Sequence, residues 1–189
     1  MSVTCGTSAT HAPVNVELAP LGLLVVQPTP FCNIDCSYCY LSHRSDTTRM
    51  DVATVKAIAR FLRGVPLREP QLSVVWHAGE PLTAPIEFYE IAFGALQAEA
   101  APTLFQHHFQ TNGMLINDDW CELFKRWSVR IGVSIDGPKE IHDAYRVDRS
   151  NRGTYDRVMR GVAKLQEHEI PFTVIGVLTR TALQAPDEF

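Results

Sequence analysis

Apolar residues along this chain fall into blocks of two alternating periodicities. Leu21 to Thr29 (LGLLVVQPT) is a short, β-branched apolar run that predicts a strand, and Asp51 to Val65 (DVATVKAIARFLRGV) carries apolar residues at helical spacing behind a capping Asp51. The alternation continues: strand over Gln71–Gly79, helix over Pro85–Ala101 with a proline in its first turn, strand over Leu104–Asn112, helix over Asn117–Trp127. A strand over Val129–Asp136, a helix over Thr154–Glu169 and a fifth strand over Pro171–Arg180 complete the order βαβαβαβαβ. Strands alternating with helices imply an α/β fold of parallel strands joined by right-handed crossovers, as an open doubly wound sheet or a barrel. No internal repeat, low-complexity tract or interdomain linker interrupts the pattern, and only residues 1–20 read as a loosely attached, flexible tail.

Two of the predicted strands have an unusual second face. Side chains alternate across a strand, so in Leu104–Asn112 Phe105 and Phe109 fall on one side and Gln106, His108, Gln110 and Asn112 on the other. Val129–Asp136 repeats the split, with Val129, Ile131, Val133 and Ile135 against Gly132, Ser134 and Asp136. A covered parallel strand is apolar on both faces; two neighbours with a polar face predict a wet or ligand-filled interior, against the plainer reading of polar side chains bonded to each other in a packed core. His107 and His108 are adjacent, so they point to opposite faces and do not form a paired-histidine metal site.

Composition narrows the partners. The chain is 46% hydrophobic and 20% charged with a formal net charge of −4, an ordinary globular profile. Its basic residues form no stripe of the kind that binds duplex nucleic acid. Residues 1–20 lack the basic and apolar blocks of a signal peptide, and no run approaches the roughly 20 apolar residues of a membrane span. The expected compartment is the cytosol, where thiols stay reduced and clustered cysteines indicate metal binding or catalysis.

Three of the five cysteines crowd into PFCNIDCSYCYLSHR, residues 30–44, as Cys32-x3-Cys36-x2-Cys39. The predicted loop from Pro30 to Met50 is far longer than the roughly 2–6 residues usual between a strand and a helix, and it lies at the carboxyl end of a strand, where α/β folds bind ligands. One reading is a closed zinc site with His43 as the fourth ligand. The other is a [4Fe–4S] cluster on three thiolates, with one iron left open to a small molecule. Cys5 in the tail and Cys121 on a predicted helix have no such spacing and read as ordinary thiols.

The pattern Cys32-x3-Cys36-x-Tyr38-Cys39 resembles the signature of the radical S-adenosylmethionine (radical SAM) superfamily. Gly79-Glu80-Pro81 resembles that family's Gly-Gly-Glu-Pro element, with Ala78 in place of the first glycine. Gln110-Thr111-Asn112-Gly113, Ser134-Ile135-Asp136-Gly137-Pro138 and the following His142-Asp143 and Arg146 resemble the peptide-modifying branch that includes anaerobic sulfatase maturases. The wording LVVQPTPFCNIDCSYCYL and VVWHAGEPL is similar to maturases that crosslink glycine-rich-repeat precursor peptides into cyclophanes. The resemblance implies a partial (β/α)6 TIM-like barrel with about five strands and four helices present. It implies a [4Fe–4S] cluster on Cys32, Cys36 and Cys39, and S-adenosylmethionine bound through its open iron and cleaved by one electron to a 5′-deoxyadenosyl radical. Gly79, Glu80 and Pro81 would meet the cofactor's amino group, Ser134 and Arg146 its carboxylate, Asp136 its ribose and Tyr38 its adenine, with Asn112 also at the site. The implied partners are a precursor peptide or protein substrate and a reducing electron donor.

Family members continue past a fifth strand, commonly with a cysteine-rich domain holding auxiliary clusters, whereas only TALQAPDEF follows Arg180. The expectation is a radical SAM core over 21–189, cut after its fifth strand. Beside a radical SAM peptide maturase that crosslinks a precursor peptide, or its cofactor-binding part, stand three alternatives: an anaerobic sulfatase-maturase-like enzyme, a catalytically silent remnant, and a zinc-stabilised binding module on Cys32, Cys36, Cys39 and His43.

Overall fold

The computed structural model describes residues 19–184 and 186–187. The N-terminal tail through residue 18, with Cys5, lies outside the described residues. Five parallel strands form one sheet in sequential order: β1 Leu23–Val26, β2 Gln71–Trp76, β3 Leu104–Thr111, β4 Arg130–Ser134 and β5 Phe172–Ile175. The α/β expectation therefore holds as a sheet wound in one direction, the arrangement of a partial barrel. Four of the helices are those expected: α1 Val52–Leu62, α2 Ile86–Glu99, α3 Asp118–Arg126 and, after one more, α5 Tyr155–Glu167. Local chemistry starts them where the sequence indicates: the Asp51 carboxylate accepts from Thr54 N at 2.7 Å ahead of α1, and Asn117 Oδ1 accepts from Trp120 N at 3.0 Å ahead of α3.

Two short helices were not expected. Helix α4, Lys139–Tyr145, follows Pro138 and buries only Ile141 and His142, too few apolar positions to give a period. Helix α6, Arg180–Gln184, occupies the end of what read as a fifth strand to Arg180. There the chain leaves the sheet at Gly176, and the Thr179 hydroxyl accepts from Ala182 N at 3.2 Å, so a capped turn replaces strand pairing. Strand β2 likewise stops short of Gly79 because Ala78 (φ 71°) and Gly79 (φ 64°) are both left-handed. Among the described residues no helix is long and apolar enough to cross a membrane.

Register sorts the sheet into two faces. The row Val26, Trp76, Phe109, Ile131, Phe172 runs across all strands on the helix-covered side. There Trp76, Tyr89, Phe93, Phe109 and Phe124 are fully buried, with Tyr89 edge-on to Trp76 and Phe109. The opposite, concave face carries Val25, Val75, His108 and Arg130 in one row and Gln110, Gly132 and Thr173 in the next. The polar second face anticipated from sequence is this lumen face. Strand β5 pairs only with β4 among the described residues, and its Val174 and Ile175 are 54% and 52% exposed.

Candidate functional site

The carboxyl ends of the strands and the loop after β1 enclose a cleft of about 390 Å³. Cys32, Cys36, Tyr38 and Cys39 enter it from the loop, Gly79 and Glu80 from the end of β2, Asn112 from β3, Ser134 from β4 and Arg146 from the end of α4. Nine of the residues expected at the site thus share one cavity. Pro81 and Asp136 do not line it.

The cysteine loop is held by backbone bonds within itself and to distant segments. Cys32 N donates to the Arg44 carbonyl at 3.0 Å, Asp35 N to Val147 O at 2.7 Å and Ser37 N to Tyr145 O at 3.0 Å. Glu80 N donates to Phe31 O at 2.7 Å, which ties the end of β2 to the same loop. That approach requires a glycine next door: a Cβ on Gly79 would lie 2.6 Å from Phe31 O and closer still to Thr29 O. Ala78, despite its methyl group, keeps the left-handed turn.

Glu80 is 1% exposed, and its carboxylate accepts from Leu82 N at 3.0 Å, Thr111 Oγ1 at 2.7 Å and Asn112 N at 2.7 Å. Burial pushes it up to about 7, against the pull of these bonds. An ammonium brought to this carboxylate would favour its charged form. Ser134 Oγ accepts from Gln110 Nε2 at 3.0 Å. Gln110 reaches across β4 only because residue 132 is glycine, where a Cβ would collide with the amide oxygen and stand 3.2 Å from its Cδ.

Arg146 and Asp136 form a bidentate pair, Nε to Oδ2 at 2.9 Å and Nη2 to Oδ1 at 3.1 Å, with Asp136 fully buried. Asp136 also accepts from Tyr38 OH and from Val177 N at 2.9 Å. Expected beside a ribose, Asp136 instead stands behind Arg146 with both oxygens engaged, and as placed it aims the guanidinium rather than facing the cleft. Burial opposes both charges, yet the pair holds Asp136 below and Arg146 above their ordinary ranges. Behind them His142 accepts from Asp136 N at 3.3 Å through Nδ1, and its Nε2 lies 3.1 Å from Thr154 Oγ1, which donates to Arg146 O at 2.7 Å. Pro81 opens a 3-10 turn, Pro81–Thr83, and its carbonyl accepts from Tyr89 OH at 2.7 Å, a supporting role.

The three thiols suit an iron–sulfur cluster. They are soft donors facing one cavity, and Asn112 Nδ2 lies 3.9 Å from Cys32 Sγ. Burial, and next the Glu80 charge, push the Cys32 thiol up to about 12, and burial raises Cys36 as well, so loading the site as thiolates releases protons. The alternative zinc ligand His43 is exposed and does not line the cleft. Among the described residues no three His, Cys, Asp or Glu side chains gather around a single-ion position. Cys121 is buried in α3, away from the cleft. Among the polar lining residues, His77 and Arg44 were given no role from sequence, whereas Gln110 was given one. Gln110 had a signal in the polar side of its strand; His77, one residue past β2, and Arg44, inside a loop, had none.

The profile of the Radical SAM superfamily matches residues 26–182. This chain belongs to the radical SAM superfamily. Enzymes of this family use a [4Fe–4S] cluster and S-adenosylmethionine, which accords with the donor set above. The radical SAM chain is 41% identical over 177 residues to an uncharacterized protein, sll1766, of Synechocystis sp., covering 91% of this chain and 44% of that protein. It is 35% identical over 170 residues to a serine-type anaerobic sulfatase-maturating enzyme of Klebsiella aerogenes, covering 88% and 40%. The solved structure of anSMEcpe with bound AdoMet and Cp18Cys peptide is similar at 26% identity and a TM-score of 0.79, over 89% of this chain and 46% of that one. The chain spans less than half the length of these two curated relatives.

Proposed function

We propose that this chain is the cofactor-binding part of a radical SAM enzyme that modifies a peptide or protein. The observation that carries the reading is the gathering of Cys32, Cys36, Cys39, Glu80, Ser134 and Arg146 around one cleft. The cluster, when bound, supplies the electron that cleaves S-adenosylmethionine. The chain's own residues position the cofactor: Glu80 takes the ammonium, while Ser134 and the Arg146 Nη1 group take the carboxylate, with Asp136 and Tyr38 fixing the guanidinium. Asn112 supports Cys32 from the side, and Gly79 lets the backbone close on the loop.

Peptide modification is supported by the sulfatase-maturating relative and by the peptide held in the similar solved structure. The finer reading, crosslinking of a glycine-rich-repeat precursor, rests on the wording of residues 24–41 and 74–82. A radical SAM core from residue 21 with a further cysteine-rich domain outside this sequence belongs to the same reading, as do a reducing electron donor and the cytosol.

Anaerobic reconstitution tests the core of the proposal. The Cys32→Ala, Cys36→Ala, Cys39→Ala triple variant should lose iron and sulfide while Cys121→Ala retains them; equal iron in parent and triple variant would refute the cluster assignment. Incubation with reductant, S-adenosylmethionine and either a sulfatase peptide or a glycine-rich-repeat peptide then separates the substrates by which peptide changes mass. No mass change in either, with 5′-deoxyadenosine released, would reject both substrates for this chain.

A further inference from the structure

Three arginines surround the three-cysteine loop, and each is engaged differently. Arg146 is committed to Asp136. Arg44 donates Nη1 to the Cys36 carbonyl at 3.0 Å and pairs through Nη2 with Asp35 at 2.5 Å. Arg149 donates Nε and Nη2 to the Cys32 carbonyl at 3.2 and 2.8 Å, Nη1 to Ser45 Oγ at 2.9 Å and Nη2 to the Arg44 carbonyl. Its guanidinium also lies over the Phe31 ring, 5.8 Å from the centroid. Every one of these partners is neutral. The neighbouring carboxylate, Asp148, is taken by Arg152 at 2.9 Å and Arg157 at 2.7 Å, so Arg149 has no ion pair among the described residues.

We propose that Arg149 is an uncompensated positive charge held against the cluster loop at Cys32, which it orients, and that it raises the reduction potential of the cluster bound there. The inference rests on the cluster reading above. Reduction adds one electron from an external reductant and breaks no bond in the cluster loop, so the site gains one negative charge. A cation fixed to the carbonyl of a ligand residue stabilises that more negative form and moves the potential upward. Arg149 is exposed, so the effect is partly screened and shrinks as salt rises. An arginine that served only as a loop clamp would behave differently: its planar fork would matter and its charge would not.

The test is a spectroscopically followed redox titration of the reconstituted chain, with iron content and melting temperature measured alongside. Arg149→Gln, which keeps donors and loses charge, should shift the midpoint downward, up to about tenfold in the reduction equilibrium or ~59 mV for one electron. Arg149→Lys, which keeps charge and loses the fork, should stay near the parent. Ser45→Asp neutralises the guanidinium without touching its bonds to Cys32, and should shift the midpoint downward even where Arg149→Gln retains too little iron to titrate. Ser45→Asn should not. Equal potentials in the parent, Arg149→Lys and Ser45→Asp, or equal shifts in Arg149→Lys and Arg149→Gln, would overturn the inference and leave the cluster reading intact. A parent that assembles no cluster overturns both.

Discussion

Strand β3 carries two adjacent histidines in opposite surroundings. His107 is 4% exposed on the helix-covered face, stacked on Phe93 with centroids 3.8 Å apart and rings 13° from parallel, and its Nδ1 accepts from Trp76 Nε1 at 3.3 Å. His108 faces the lumen beside Val75 and Arg130. On His107's face, aromatic rings fill the space between sheet and helices. On His108's face, cavities of about 390 and 570 Å³ remain, both bordered by Gln110. One residue of register separates the side that specifies the fold from the side available to a ligand. Substitutions on the two faces should therefore fail in different measurements.

The largest expected effect is on the packed face. Trp76 is fully buried and touches Phe88, Tyr89, Phe93, His107 and Phe109. Trp76→Ala should lower stability by about 3–5 kcal/mol, seen as a large fall in melting temperature. Gln110→Ala, on the lumen face, should leave the melting temperature near the parent's and weaken S-adenosylmethionine binding several-fold, because Ser134 loses the partner that orients it. Gly132→Ala should weaken binding similarly by pushing the Gln110 amide off β4. Were Gln110→Ala to destabilise the fold as strongly as Trp76→Ala, the division between faces would be broken.

The same division explains what could be read from the sequence. Alternation in FQHHFQTN exposed the polar lumen face because period two is visible in a single strand. The grouping of Cys32, Cys36 and Cys39 was visible because their spacing is local. Arg146 was named only through resemblance and Asp136 by strand alternation as well, but their mutual pairing was not legible, because it depends on the path of the chain between β4 and α4. Arg149 left no trace at all: its partners are carbonyls of residues more than a hundred positions away. Helix α4 was missed for a related reason, since its seven residues are placed by buried contacts of Ile141 and His142 rather than by a repeating pattern.

A smaller effect sharpens the contrast between the histidines. Burial, and then the neighbouring His108, depress His107 to about 3 from its ordinary 6.5. Its folded value lies below its unfolded one, so the unfolded chain binds the proton first as pH falls, and stability drops from pH 6.5 toward 3. By pH 5 the loss attributable to this ring is about 2 kcal/mol. Glu80 contributes with the opposite sign, because its raised value makes the fold lose stability as pH rises toward 7. The measurement is therefore a difference: denaturant unfolding of the parent and His107→Gln at pH 7 and pH 5. Glutamine still accepts from Trp76 but does not titrate, so the parent should lose about 2 kcal/mol more than the variant. Equal losses would mean that the ring is reached by water.

The smallest effect lies where the two faces meet, at the end of β2. Ala78 and Gly79 are both left-handed, at φ 71° and 64°, yet they differ in what surrounds them. A methyl group on Gly79 would strike the carbonyls of Thr29 and Phe31, so Gly79→Ala should open the contact between β2 and the cysteine loop. Ala78 already carries its methyl and lines the cleft, and its strain lies in the left-handed backbone. An L-residue in this region costs roughly 1–2 kcal/mol. Glycine removes that strain but gives back about 0.4–1 kcal/mol through the greater freedom of the unfolded chain. Ala78→Gly should therefore raise stability by about 0.5–1 kcal/mol, a shift of a few degrees in melting temperature. Cofactor affinity should change little, since the Glu80 carboxylate stays held by Leu82, Thr111 and Asn112. A fall in stability instead would show that the Ala78 methyl packs against the cleft wall by more than its backbone strain costs.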